Sequence, residues 1–338
     1  MQMKKIFVLL AIFVVLFGCK ENQRVSESQN SSKKTTSGVN NIQNTANSNL
    51  IDLRLKPVVG KEYIFRNELV QDISQRIDTI NAETKNTQTI IYSLKPVKID
   101  SAGTILFQVS FKSIQQKIVS PLFTVEVNTS KPNRKPAPLE IFYSSLIGKT
   151  FGLKVNSDGK NVSLISFDSV LKTSLEQISK RKEFSGVDKN VLSQLVNSFF
   201  NPNEMRKNFE KLFEIYPSKK VSVRENWTID KEVSEPIPAK ISNTFLLKNI
   251  SNDTLFLVQD SKITFKKQAQ KNNEPQITEL SGNQSGNLSV SRSTGVVLNS
   301  KVKQQINLVY TFPPSPQTNN KQVKVFTNIK SNFVFELQ

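Results

Sequence analysis

The stretch LSGNQSGNLSVSRSTGVVLNS, from Leu280 to Ser300, places glycines at 282, 286 and 295, and two readings of it lead to different proteins. A phosphate-cradling loop needs a strand before it and a helix directly after it, because first-turn N–H groups and the helix dipole hold the anion. Beyond Gly295 the chain instead carries Val296, Leu298, Val302, Ile306, Leu308 and Tyr310, all of one parity. Apolar residues recurring at period two mark a half-buried strand. The stretch is therefore a hairpin. Gly295 sits in the turn, where a positive φ costs glycine least, and Gly282 and Gly286 flank the start of the preceding strand. The run to Tyr310 exceeds the usual strand of about five or six residues, and strands of that length belong to a twisted, curved sheet.

The same alternation runs through Tyr63, Phe65, Leu69 and Ile73, and through Ile105, Phe107, Val109 and Phe111. DSAG (100–103), NSDG (156–159) and SND (251–253) are turn sequences that separate such runs. Between Val170 and Tyr216 the spacing changes to three and four, as in Leu192, Leu195, Val196, Phe199 and Phe200. A second helix has Asn201 as N-cap, Pro202 at its first position and Glu204 three after the cap. It carries Met205, Phe209, Leu212 and Phe213 on one face, and Pro217 ends it. The flanking β regions read as copies of one unit: VGKEYIF resembles VRENWTI, with Tyr63 matching Trp227, and FGLKVNSDG parallels GNLSVSRSTG. The expected fold is mainly β (α+β): a curved antiparallel sheet from two related β units, 50–172 and 217–338, with a central helical segment, 173–216, packed on it.

The N-terminus has a different character. Lys4 and Lys5 precede an apolar run from Ile6 to Phe17, and small Gly18 stands directly before Cys19. Twelve apolar residues fit a signal peptide and fall short of the roughly 20 needed to cross a bilayer. The arrangement resembles a bacterial lipoprotein precursor: residues 1–18 form the signal peptide, cleavage falls between Gly18 and Cys19, and Cys19 takes the lipid. Residues 19–49, nearly all Ser, Asn, Gln, Thr and Lys, lack the apolar surface to fold and read as a disordered tether of about 30 Å before a single β-rich domain, 50–338. Lys20 and Glu21 resemble the start of a surface-export signal and Asn22 breaks it, so both faces of the outer membrane stay open.

Cys19 is the sole cysteine and there is no histidine. With Cys19 acylated, disulfides, thiolate zinc sites and Ser-His-Asp or Cys-His triads are excluded within this chain. No cofactor is expected. The formal charge of +18 is scattered, with short clusters at Lys180–Lys182, Lys219–Lys220 and Lys266–Lys267 and no aromatic-interleaved stripe. Nucleic acid is therefore not the expected partner; anionic headgroups or acidic glycans are better counterions. Glu210 and Glu214 could pose as a hydrolytic carboxylate pair, but with Arg206, Lys207 and Lys211 as neighbours they read as ordinary surface ion pairs. Phe199, Phe200, Phe209 and Phe213 either fill a core or line an acyl cavity, and the core reading is favoured.

The segments MRKNFEKLFEIYPSKKVSVRENWTI, GLKVNSDGKNVSLISFDSVL and LSGNQSGNLSVSRSTGVVLNS resemble an uncharacterised Bacteroidota lipoprotein family of unknown function, with Arg224 where that family has a glycine. Thr79, Ser101, Ser169 and Thr254, each after an Asp and before a small or apolar residue, resemble the O-glycosylation acceptor of Bacteroidota; Asp-Ser and Asp-Thr are equally ordinary turn pairs. The resemblance implies a membrane-anchored envelope lipoprotein, held by its N-terminal lipid. The expected role is a non-enzymatic interaction or structural module that meets an envelope protein, lipid or glycan. The alternative is a binding protein for a hydrophobic or lipid-like ligand.

Overall fold

Period-two alternation becomes one antiparallel sheet in the computed structural model, which describes residues 50–338 except 185, 189, 191–192, 195–200, 234–236, 267–273, 315 and 317–319. The readings for the signal peptide, Cys19, the tether, and Leu192, Leu195, Val196, Phe199 and Phe200 lie outside the described residues. The first half contributes β1 (Tyr63–Ile77), β2 (Ile80–Ile99), β3 (Thr104–Val119), β4 (Thr124–Asn128), β5 (Thr150–Asn156) and β6 (Ser163–Ile165). The second contributes β7 (Asn226–Val233), β8 (Ala239–Ser251), β9 (Thr254–Phe265), β10 (Gln276–Ser291), β11 (Val297–Phe312) and β12 (Val323–Leu337).

The strand order is β6-β5-β3-β2-β1-β12-β11-β10-β9-β8-β7, with β4 beside β3. The sheet is open, with β6 and β7 at the ends of this order. The strands of each half follow chain order across the sheet, except that β4 pairs with the end of β3 while the start of β3 pairs with β5. The seam between them is β1 against β12, from Phe65 opposite Leu337 to Ile77 opposite Val325. Odd residues of β1 face inward, with Tyr63, Phe65, Ile73 and Ile77 buried, while Asp72, Ser74 and Arg76 face solvent.

Among the described residues, the helices α1 (Pro138–Leu146), α2 (Phe167–Ser179) and α3 (Pro202–Phe213) pack on the inner face. Asn201 caps α3 by accepting from the Asn203 N–H at 2.9 Å. Phe209 meets Tyr92 edge-on at 5.6 Å and Phe151 at 6.2 Å, and Phe213 stacks on Phe107. Trp227 lies against Phe245 and donates to the Ile215 carbonyl.

Two sequence expectations are corrected. Helical structure begins well before Thr173: α1 has no counterpart in the expected layout, and α2 starts at Phe167. In α1, Leu139 to Tyr143 are all buried, so it has no polar face to reveal a helical period. Gly282 and Gly286 stand inside β10, opposite Ile306 and Val302, and do not flank its start. There a Cβ would meet the Gln305 or Lys301 carbonyl oxygen at 2.7 or 2.6 Å, so the inner face has room only for glycine.

Residues 50–60 form a strap over one end of the sheet. Ile51 bridges Val221 near the start of β7, Leu55 donates to Ser157 after β5, and Lys56 donates to Thr294 between β10 and β11. Gly60 then donates to Pro96 on β2. Leu53 and Leu55 are buried beneath it.

Away from the strap, a polar relay crosses the apolar inner face. The Tyr143 hydroxyl donates to Gln116 Oε1 (2.8 Å), Gln116 Nε2 to Asn86 Oδ1 (3.4 Å), Asn86 Nδ2 to Gln71 Oε1 (3.1 Å), and Gln71 Nε2 to Ser331 Oγ (3.2 Å). All five residues are buried, and burial raises the Tyr143 pKa. Beyond the relay a second apolar row runs from Ile73 through Ile329, Ile306, Leu280 and Ile263 to Val233.

Candidate functional site

Two recesses compete for the role of site. The first lies where α3 meets the sheet, between Tyr63, Phe65, Phe107, Phe213, Tyr216 and Phe335. Its volume is about 20 Å³, room for about one water and no acyl chain. Phe65 and Phe335 stack at 4.6 Å there, so the rings fill the space between sheet and helix.

The second recess, about 610 Å³, lies on the solvent face across β2, β1, β12, β11 and β10. Its side is fixed by alternation. Ser74, Glu83, Asn328, Asn307 and Ser281 form one outward row, and Arg76, Asn81, Phe326, Val309 and Glu279 form the next. The backbone between them belongs to inward-facing Gln75, Ala82, Thr327, Leu308 and Leu280. Crossing five strands makes the groove about 19 Å long, and rows two residues apart lie about 7 Å from each other. Phe326 is 40% exposed, with the Arg76 guanidinium 5.0 Å from its ring centre. Asn328 donates to Asn307 at 2.6 Å. The groove thus offers an aromatic face, amides, hydroxyls, one guanidinium and two carboxylates to a long ligand.

The predicted site residues separate. Glu210 and Glu214 share Lys231 of β7, and Glu210 also pairs with Arg206 along α3. These contacts tie helix to sheet edge, and Glu210 is buried, where the sequence reading expects surface ion pairs along the helix. Thr79 is exposed in the β1–β2 turn, Ser101 in the β2–β3 turn and Ser169 on the first turn of α2. Thr254 is half-buried at the start of β9. Asp253 beside it accepts from the Ser291 and Ser293 hydroxyls, which hold its carboxyl below the usual range. Glu225, bonded by Lys219 and Ser222, is lowered to about 2. The groove residues escape a reading of the sequence, where each is an ordinary polar alternate of a strand.

Fold and recess together define a class: an open β-sheet protein with helices filling its inner face and a groove of mixed polar and apolar lining on its outer one. The chain belongs to DUF6263, a family of unknown function, which matches residues 102–297. No curated protein matches the chain. Among solved structures it is similar to lipovitellin, described for its lipid–protein interactions, at 8% identity and a TM-score of 0.45, over 83% of this chain and 25% of that one. The chain thus spans about a quarter of the lipovitellin chain. It is also similar to the outer membrane protein OprG of Pseudomonas aeruginosa, at 6% identity and a TM-score of 0.20, over 84% of this chain and 98% of that one.

Proposed function

We propose that the chain is a lipoprotein of the Bacteroidota cell envelope, acylated at Cys19 and held to the outer membrane, which acts without catalysis as an interaction or structural module. The observation that carries the non-carrier role is the contrast between the two recesses: about 20 Å³ under the helices against about 610 Å³ on the outer face. A lipid carrier keeps its volume inside an apolar wall, whereas a module that meets an extended partner keeps it outside, lined by groups that also tolerate water. The outer groove is the surface such a partner would use. A single cysteine committed to lipid and the lack of histidine support the non-enzymatic half of the reading.

Titrating the purified protein with a fluorescent fatty acid tests the choice between module and carrier. No stoichiometric binding is expected; one-to-one saturation would reverse it. The anchor is tested separately with Cys19→Ala, which should accumulate as unacylated, uncleaved precursor. Normal processing and membrane fractionation of that variant would remove the lipoprotein reading.

A further inference from the structure

The strapped end of the sheet carries a feature that neither the groove nor the core explains. Val58 and Val59, 54% and 52% exposed, form the tip of the turn that ends the strap. Lys61 N–H closes this turn onto the Val58 carbonyl at 3.2 Å. The Gly60 N–H, bonded to the Pro96 carbonyl at 2.8 Å, pins it beside Val97 and Ile99, which are also exposed. The two segments repeat one device: Lys56-Pro57-Val58 and Lys95-Pro96-Val97 each bury the proline and expose the lysine and valine. Four exposed aliphatics on one rim are thus framed by Lys56, Lys61, Lys95 and Lys98, all exposed. Two nearby acids are engaged elsewhere, Glu62 with Lys112 and Asp100 with the Ala102 and Thr104 amides of its own turn, while Asp52 on the strap pairs with Lys56 at 3.4 Å and leaves Lys61, Lys95 and Lys98 as the rim's remaining charge.

We infer that this rim docks on the anionic phospholipid surface that carries the chain, with Val58 and Val59 entering the headgroup boundary. Aliphatics at a turn tip gain by leaving water, and each lysine near an anionic surface adds about 1 kcal/mol of attraction. Position supports the same occupant. The stretch leading back to Cys19 joins at Leu50, itself 53% exposed, on the strap at this end. The inference rests on the lipid-anchor reading for its membrane, and the rim chemistry stands apart from it. A tether that confines the domain near the bilayer makes even weak docking effective, because the second contact is intramolecular.

The test uses the full chain anchored in vesicles of phosphatidylethanolamine and phosphatidylglycerol, or of phosphatidylcholine alone. Val59→Cys and, at the opposite end, Thr79→Cys are labelled with a polarity-sensitive nitrobenzoxadiazole dye, acylated Cys19 being unreactive. In the anionic vesicles the label at 59 should shift blue and be quenched from within the bilayer, while the label at 79 stays aqueous. Lys56→Glu with Lys61→Glu should lower the shielded fraction by at least about tenfold. A label at 59 as wet as that at 79 overturns the proposal. So does a label at 59 that is already shielded in vesicle-free protein of dimer mass, which would give the rim to a second copy. If wild-type Cys19 itself takes the dye, the anchor reading fails alone. Val59→Cys in a Cys19→Ala background, mixed with the same vesicles, then scores the rim by the same shift.

Discussion

Replacing Gly295 by alanine should loosen the strap from the sheet. Gly295 has φ +68°, and an added Cβ would lie 2.0 Å from the Arg54 carbonyl oxygen and 2.6 Å from its carbon. Both are backbone atoms, so no rotamer change relieves the overlap, and either the strap or the β10–β11 turn must move. The left-handed conformation costs a non-glycine residue roughly 1–2 kcal/mol and overpacking of a tight site about 1–3 more, a combined loss of about 2–5 kcal/mol. Gly60 supplies the control, since its φ is +84° and nothing lies within 4 Å of an added Cβ. Gly60→Ala should therefore lose only the first part, roughly 1–2 kcal/mol. Urea unfolding followed through Trp227, the single tryptophan, reads both variants. With a common slope, the difference between their midpoints isolates the steric part. Equal midpoints for the two variants would refute the close-approach reasoning. Gly159, at φ +79° with a Cβ 2.0 Å from the Phe213 carbonyl oxygen, should behave like Gly295.

Asn86→Leu leaves Gln71 Oε1 and Gln116 Nε2 without their relay partner, at roughly 1–3 kcal/mol for each buried group, so a urea midpoint at or above wild type would contradict the relay. Glu225 and Asp253 have lowered carboxyl pKa values in the folded chain, so their stabilisation is present above the unfolded values and lost as pH falls from about 4.5 toward about 2. Urea midpoints should fall across that window and fall less for Glu225→Gln; parallel curves would speak against it. Lys231→Met should destabilise the chain, because it strips a shared cation from Glu210, which is buried, and Glu214; unchanged thermal melting would count against helix-to-edge tethering by this residue.

How much can be read from the sequence depends on which interactions are local. Tyr63, Phe65 and Ile73 announce their strand because one side of it is apolar and the other wet. The cap at Asn201 is legible because Asn, Pro and Glu act within one turn. In α1 the pattern is erased by burial on all sides, and Gly282 and Gly286 read as flanking the start of a strand because their use, proximity to Ile306 and Val302, depends on a partner strand. Gln71, Asn86 and Gln116 look like breaks in an apolar face until the register aligns them. The groove is least legible: Arg76 meets Phe326 only through a pairing that joins residues 250 positions apart.

The β1–β12 seam has a consequence for assembly. Its two strands are the first and last of the sheet in chain order, and the Gln338 N–H donates to the Ile64 carbonyl, so the end of β12 lies beside the start of β1. While the chain is being made, β1 keeps an unpaired edge until the last strand arrives. Every residue of both halves must be synthesised before the middle of the sheet can form. Contacts of such long sequence separation fold slowly, and an unpaired, half-apolar strand is a template for wrong partners. Until Leu337 is in place, the newborn chain depends on whatever shields that edge. Loss of β12 would divide the sheet at its centre and leave its two halves with no shared ladder.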